Sequence, residues 1–196
     1  MDHARPELTD PLIDLARQGD RAALRRIHDA LATRLVGYAR SRGVEDPDAV
    51  ANETLFRVLS GVGAFEGSAD RFRSWAFTIA HNLIVDEHRR RQRRPVTADE
   101  PTAIDRPAVV DVELAATDRW DVAQTLAAID ELAPDQRDVL LLRHVADLSL
   151  AETADVLGKR VNAVKQLQHR ATKALRKRLR DDPVTRGGPP SFTQVT

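Results

Sequence analysis

Apolar residues along this chain recur at intervals of three and four rather than two, the spacing of helices that bury one face. Leu24, Ile27, Leu31, Leu35 and Tyr38 form one stripe, and Asp20 stands ahead of it as an N-cap. Asp46 and Pro47 predict a cap and first-turn proline opening a second helix through Leu59, with Ala51, Leu55 and Val58 on one side. A third stripe, Phe72, Trp75, Ile79 and Leu83, runs into a cluster of arginines. Further on, Val122, Leu126 and Ile129 predict another helix. The stretch from Pro134 to Val145 predicts one that is apolar on most sides and therefore central.

The segment after it carries the sharpest local signal. Ser149 and Glu152 have the spacing of a capping box, in which hydroxyl and carboxylate satisfy each other's free amides, and Gly158 can end the short helix they open. Beyond the turn Gly158, Lys159 and Arg160, a stripe of Val161, Val164, Leu167, Ala171, Leu175 and Leu179 predicts a long second helix. Lys165, Gln166, His169 and Arg170 lie off that stripe. Two helices joined by a tight turn, the second basic on its outer side, form a helix-turn-helix. Gln, His and Arg early in the second helix can donate to base edges in the major groove, while amides and lysines of the turn hold phosphates.

Charge sharpens this organisation, although thirty basic and thirty acidic side chains cancel overall. From Arg71 to Arg94 seven arginines face only Asp86 and Glu87, and from Gly158 to Arg180 there are nine lysines and arginines and no acid. Between them, Pro95 to Asp121 holds seven acids with Pro95, Pro101 and Pro107, which withhold amide donors and disfavour helix in the residues before them. The expected architecture is all-α, two small helical domains at 10–94 and 120–180 joined by a flexible, acidic, proline-containing linker at 95–119. A tail at 181–196, with few apolar anchors, is expected to be disordered.

The chain has no cysteine and eight aromatics (five Phe, two Trp, one Tyr), which excludes a disulfide scaffold, a thiolate metal site or a cysteine enzyme. No run of roughly 18 to 20 apolar residues offers a membrane span, and the N-terminus lacks a secretory core, so a cytoplasmic protein is expected. No Gly-rich phosphate loop, GxSxG or His-x-x-x-His pair supports an enzyme, and no metal or cofactor is expected. His81 and His88, seven apart on one helical face, read as surface histidines and local partners for the arginines.

Arginines close to Phe65, Phe72, Trp75 and Phe77 combine cations that can track a backbone with rings, as single-strand binders do. The rings at helical spacing read as core. Residues 64–73, with a Gly/Ser loop able to shape a pocket for a flipped base, are the expected single-strand site.

The run FRSWAFTIAHNLIVDEHRRR from Phe72 to Arg91 resembles region two of the extracytoplasmic-function (ECF) bacterial RNA polymerase sigma factors. The run LAPDQRDVLLLR from Leu132 to Arg143, with LSLAETADVLG from Leu148 to Gly158, is similar to their region four. The resemblance implies a non-enzymatic promoter-recognition subunit. In such a protein region two docks on the clamp helices of the polymerase beta-prime subunit and traps unpaired bases of the −10 element, while region four sits on the beta flap and reads the −35 element. It implies polymerase contacts at Asp48, Asn52, Glu53 and Arg57, and −10 contacts at Phe65, Ser68, Arg71, Arg73, Asn82, Arg89 and Arg90. At the −35 element it implies Lys165, Gln166, His169 and Arg170 in the major groove, with Arg160 on phosphate. Ala49 and Asn52 stand where the family carries an acid and a glutamine, and Asn162 and Ala163 replace its glycine-threonine pair. Core polymerase, promoter DNA and an anti-sigma factor are the expected partners of a free monomer. A dimeric helix-turn-helix regulator that never touches polymerase is the alternative; it leaves the Phe72 to Arg91 run unexplained.

Overall fold

A computed structural model describes residues 7–93 and 125–181, and their regular structure is entirely helical. In order come α1 (Asp10–Arg17), α2 (Arg21–Ser41), α3 (Pro47–Gly61), a 3-10 turn (Val62–Ala64) and α4 (Ala69–Arg93). From residue 125 onward come α5, helical over residues 125–130, then α6 (Pro134–His144), α7 (Leu150–Leu157) and α8 (Val161–Asp181). The all-α expectation holds. The linker placed at 95–119, Val122 and the tail beyond Asp181 lie outside the described residues.

Helices begin where the sequence supplies an acceptor. Asp20 accepts the Ala23 amide at 2.7 Å and Asp46 the Ala49 amide at 2.8 Å, with Pro47 in the first turn. α4 borrows its acceptor from another element, since Asp10 of α1 takes the Ala69 amide at 2.6 Å. Ile27, Leu31, Leu35 and Tyr38 of α2 are buried with Ala51, Leu55 and Val58 of α3, as their stripes require.

α4 sets its expected stripe of Phe72, Trp75, Ile79 and Leu83 against the core and buries more besides. Phe72, Ala76, Phe77, Ala80 and Ile84 are its buried positions, while Trp75, Ile79 and Leu83 are only half-buried. The cause is that α4 is covered on two sides, by α3 and by α7, so Ala76, Phe77, Ala80 and Ile84 are buried beside the expected stripe.

The C-terminal helices do not build a separate core. Ile129, Leu132, Leu140, Leu141, Leu142, Ala146, Leu148, Val156 and Ala171 belong to the same apolar cluster as the buried faces of α1 to α4, and a smaller cluster joins Val139, Ala154 and Val164. Three ion pairs cross between α1–α4 and α5–α8: Arg34 with Asp147 at 3.1 Å, Arg73 with Glu152 at 2.5 Å, and Arg42 with Asp138. The last is the most buried, its side chains 8% and 12% exposed. Among the described residues no helix is long and apolar enough to cross a membrane.

Candidate nucleic-acid interface

The helix-turn-helix forms as its sequence dictates. Ser149 Oγ accepts the Glu152 amide at 3.2 Å, and Glu152 Oε2 accepts the Ser149 amide at 2.7 Å, which completes the capping box. Gly158 adopts the left-handed conformation (φ 60°, ψ 33°) that only glycine enters cheaply, and the Lys159 amide reaches back to the Ala154 carbonyl at 2.9 Å. Lys159 Nζ pairs with Asp135 at 2.9 Å, tying the turn to the start of α6.

α8 then buries Val164 and Ala171 and half-buries Leu167 and Leu175. Val161 is 44% exposed, because the first turn of the helix stands clear of its neighbours; the buried stripe starts at Val164 instead. Lys165, Gln166, His169 and Arg170 are all exposed, as is Arg160 just before the helix. Positions 165, 166, 169 and 170 span about 140° of a helix turning 100° per residue, so they make one face. None of the four has a partner among the described residues.

The second site centres on the segment between α3 and α4. Phe65 stacks on Trp75 with ring centroids 5.2 Å apart and meets Phe72 edge-on at 5.0 Å. Arg17 of α1 braces the same loop. Its Nε donates to the Phe65 carbonyl at 2.9 Å, a second nitrogen donates to the Gly67 carbonyl at 3.1 Å, and its guanidinium carbon lies 5.7 Å from the Phe65 ring centre. Asp14 pairs with the remaining nitrogen at 2.5 Å. Arg17, Gly63, Ala64, Phe65, Glu66 and Gly67 line a shallow depression of about 490 Å³. Phe65 is therefore a packed wall of that depression, with Ser68 and Arg71 exposed at its edge.

The other expected strand contacts are not gathered there. Arg73 points to Glu152 of α7. Asn82, Arg89 and Arg90 are exposed further along α4, where 18 residues of helix put Arg89 about 27 Å from Arg71. They make a track down one helix rather than a pocket.

A third exposed surface is the outer face of α3, where Asp48, Asn52, Glu53 and Arg57 all face solvent and Arg57 Nε donates to Glu53 at 2.7 Å. Beside it Glu45, Asp46, Ala49, Val50, Glu53, Leu83, Glu87 and Arg90 line a depression of about 360 Å³ between α3 and α4. Phe56, 68% exposed on the same face, is a residue that sequence reasoning passed over. Its signal was present: Leu55 beside it fills the buried stripe, which leaves an apolar ring with nothing to cover it. Arg17 was also missed, since it belongs to no motif and acts through two carbonyls about fifty residues away.

His81 and His88 are not surface histidines as expected: both turn inward, toward Tyr38 of α2 and Arg42 at its C-terminal end, because α4 packs that side against α2. Among the described residues no group of three or more potential ligands could hold a metal. Burial works to raise the pKa of Glu152, but the hydrogen bonds from Arg73 and Ser149 outweigh it and hold the carboxyl below its usual range.

A family model for sigma-70 region 2 matches residues 23–94, and one for sigma-70 region 4 matches residues 123–175. The chain is 33% identical over 177 residues to the ECF RNA polymerase sigma factor BldN of Streptomyces coelicolor, covering 87% of this chain and 66% of that protein. It is 32% identical over 174 residues to the ECF RNA polymerase sigma factor SigL of Mycobacterium tuberculosis, covering 87% of this chain and 97% of that protein. Among solved structures, CnrH in complex with the cytosolic domain of CnrY superposes with a TM-score of 0.66 at 25% identity, over 88% of this chain and 97% of that one. The sigma factor RpoE from Bartonella quintana, solved with the anti-sigma factor NepR, shares the fold with a TM-score of 0.62 at 23% identity, over 81% and 97%.

Proposed function

The chain belongs to the sigma-70 family, as an ECF RNA polymerase sigma factor, and from that premise we propose that it binds core RNA polymerase and selects promoters through two separate DNA contacts. α7 and α8 read the −35 element as duplex: Gln166, His169 and Arg170 approach base edges, and Lys165 and Arg160 hold phosphates. The loop from Gly63 to Ser68, with Arg71 beside it, receives an unpaired base of the −10 element, and Asn82, Arg89 and Arg90 follow the strand along α4. The observation that carries this reading is the face of α8, where four donors stand exposed and unpaired on a helix whose start is fixed by the capping box and by Gly158.

The outer face of α3 docks on the beta-prime clamp helices, and the C-terminal helices on the beta flap. The protein does no chemistry of its own; it supplies position, and each good bidentate base contact contributes about 1 to 3 kcal/mol of discrimination. It works as a monomer in the cytoplasm, where its polymerase is, and an anti-sigma protein of the kind bound to RpoE is its natural inhibitor.

Mixing the protein with bacterial core polymerase on a sizing column at moderate salt tests the reading. It requires co-elution at one to one. Failure to co-elute, with dimerisation and tight duplex binding by the free protein, would instead identify a conventional helix-turn-helix regulator.

A further inference from the structure

Resting on the reading that the loop from Gly63 to Ser68 receives an unpaired −10 base, we propose that α1 is a specificity-determining brace for that loop and that Arg17 is its positioning residue. Arg17 fixes the loop in the shape that tells one base from another. It does so by holding backbone carbonyls, without touching a phosphate.

α1 precedes residue 23, where the match to sigma-70 region 2 begins. It is nonetheless built into the same core, since Leu12, Ile13 and Ala16 are buried and the helix packs on α2 and on the 3-10 turn Val62–Ala64. Both of its ends reach the loop. In its first turn Asp10 accepts the Ala69 amide at 2.6 Å, where α4 begins. In its last turn Arg17 donates from Nε to the Phe65 carbonyl at 2.9 Å and from Nη2 to the Gly67 carbonyl at 3.1 Å. A rod about 12 Å long thus pins residues 65 to 69 at either side.

The hold needs an arginine. Two carbonyls two positions apart are gathered on one planar fork, Asp14 takes Nη1 at 2.5 Å, and the guanidinium carbon lies within cation–π range of the Phe65 ring, 5.7 Å from its centre. The loop has little stiffness of its own, because Gly63 and Gly67 lie within it and Gly67 sits at a φ of 148°. A loop already ordered costs less to bind than one that must be ordered by its ligand.

The same hold decides which groups the loop shows to a base. The carbonyls of Phe65 and Gly67 are taken by Arg17 and that of Ser68 by the Phe72 amide at 2.9 Å, whereas the amides of Glu66, Gly67 and Ser68 bond to no described residue. The backbone therefore offers three donors and has withdrawn three acceptors. Freeing the two carbonyls that Arg17 holds lets the loop accept from amino groups as well, and the distinction between bases fades.

The test uses core polymerase loaded with the full chain. The complex selects from single-stranded oligonucleotides randomised over the −10 positions, with core alone as background, and the bound pool is sequenced. The parent should prefer one base roughly tenfold at one position. Arg17→Leu should flatten that preference to within about twofold and leave the other positions unchanged, and Arg17→Lys should flatten it too, because an ammonium is a point charge without the fork. A phosphate contact behaves in the opposite way: Arg17→Leu would weaken all sequences evenly and Arg17→Lys would rescue them. Asp10→Ala acts from the other end of α1 and should lower the same preference, which decides the matter if thermal melting shows that Arg17→Leu does not fold. Preference kept in folded Arg17→Leu, restored by Arg17→Lys or kept in Asp10→Ala would overturn the proposal alone. A parent without preference at any position would overturn the −10 reading and the proposal together.

Discussion

Tyr38 and His81 share a 2.9 Å hydrogen bond between hydroxyl and Nδ1, at a point where Tyr38 has no exposure to solvent. Burial pushes the tyrosine's pKa up, against the pull of Arg42, and lowers that of His81 below 6.5, with Asp138 working upward and Arg42 downward. His88 is lowered by burial first and by Arg42 next. Both imidazoles are held neutral in the fold and protonate more readily in the unfolded chain. Stability is thus complete above the unfolded value near 6.5 and is lost as the pH falls through the depressed folded values. The thermal midpoint should be level between about pH 8 and 7 and decline from about 6.5 toward 5. His81→Asn should flatten part of that decline; an equal slope in the variant would show that the histidine is not its source.

Gly67 has a φ of 148°, and a Cβ there would lie 3.1 Å from Phe65 Cζ and 3.2 Å from Arg71 Cβ. Gly67→Ala should therefore move the carbonyl that Arg17 holds and distort the depression, at a cost of about 1 to 2 kcal/mol to the local conformation. The expected result is a several-fold loss in affinity for a single-stranded −10 oligonucleotide, with duplex binding by α8 untouched. Binding of both weakened alike would place the damage elsewhere.

Lys165 and Gln166 are neighbours on the exposed face of α8, yet they are assigned different ligands. Lys165→Ala should weaken −35 binding evenly across sequences and lower the slope of log affinity against log salt by about 1. Gln166→Ala should alter preference at one position of the element by about 1 to 3 kcal/mol. Competition binding against a library of single-base variants reads both effects at once.

Phe56 offers the third contrast, since nothing among the described residues covers its ring. Phe56→Ser should leave the thermal midpoint within a degree or two and reduce affinity for core polymerase about tenfold, the loss of an aromatic anchor from a docking face. A fall in midpoint as large as the loss of affinity would mean that Phe56 serves the fold.

The sequence exposed most of this in its local chemistry. Asp20, Asp46 and the Ser149–Glu152 box act within a few residues of themselves, so their helix starts were readable. The face of α8 was legible for the same reason, as everything left over once its buried stripe is drawn. The second buried side of α4 was not legible, because the helix is covered from two sides and buried alanines carry little weight in a hydrophobic pattern. Arg73 shows the same limit. As a residue type it points to a phosphate, and only the fold, by bringing up Glu152 from 79 positions away, shows that a carboxylate holds the place first.

Transcription by core polymerase on a library of random promoter sequences, with and without the protein, tests the central claim most directly. Sequencing the transcripts should reveal starts that depend on the protein and share two upstream elements, with the −35 preference changed by Gln166→Ala and the −10 preference retained. Starts that are identical with and without the protein, from a core shown to respond to another sigma factor, would contradict the account.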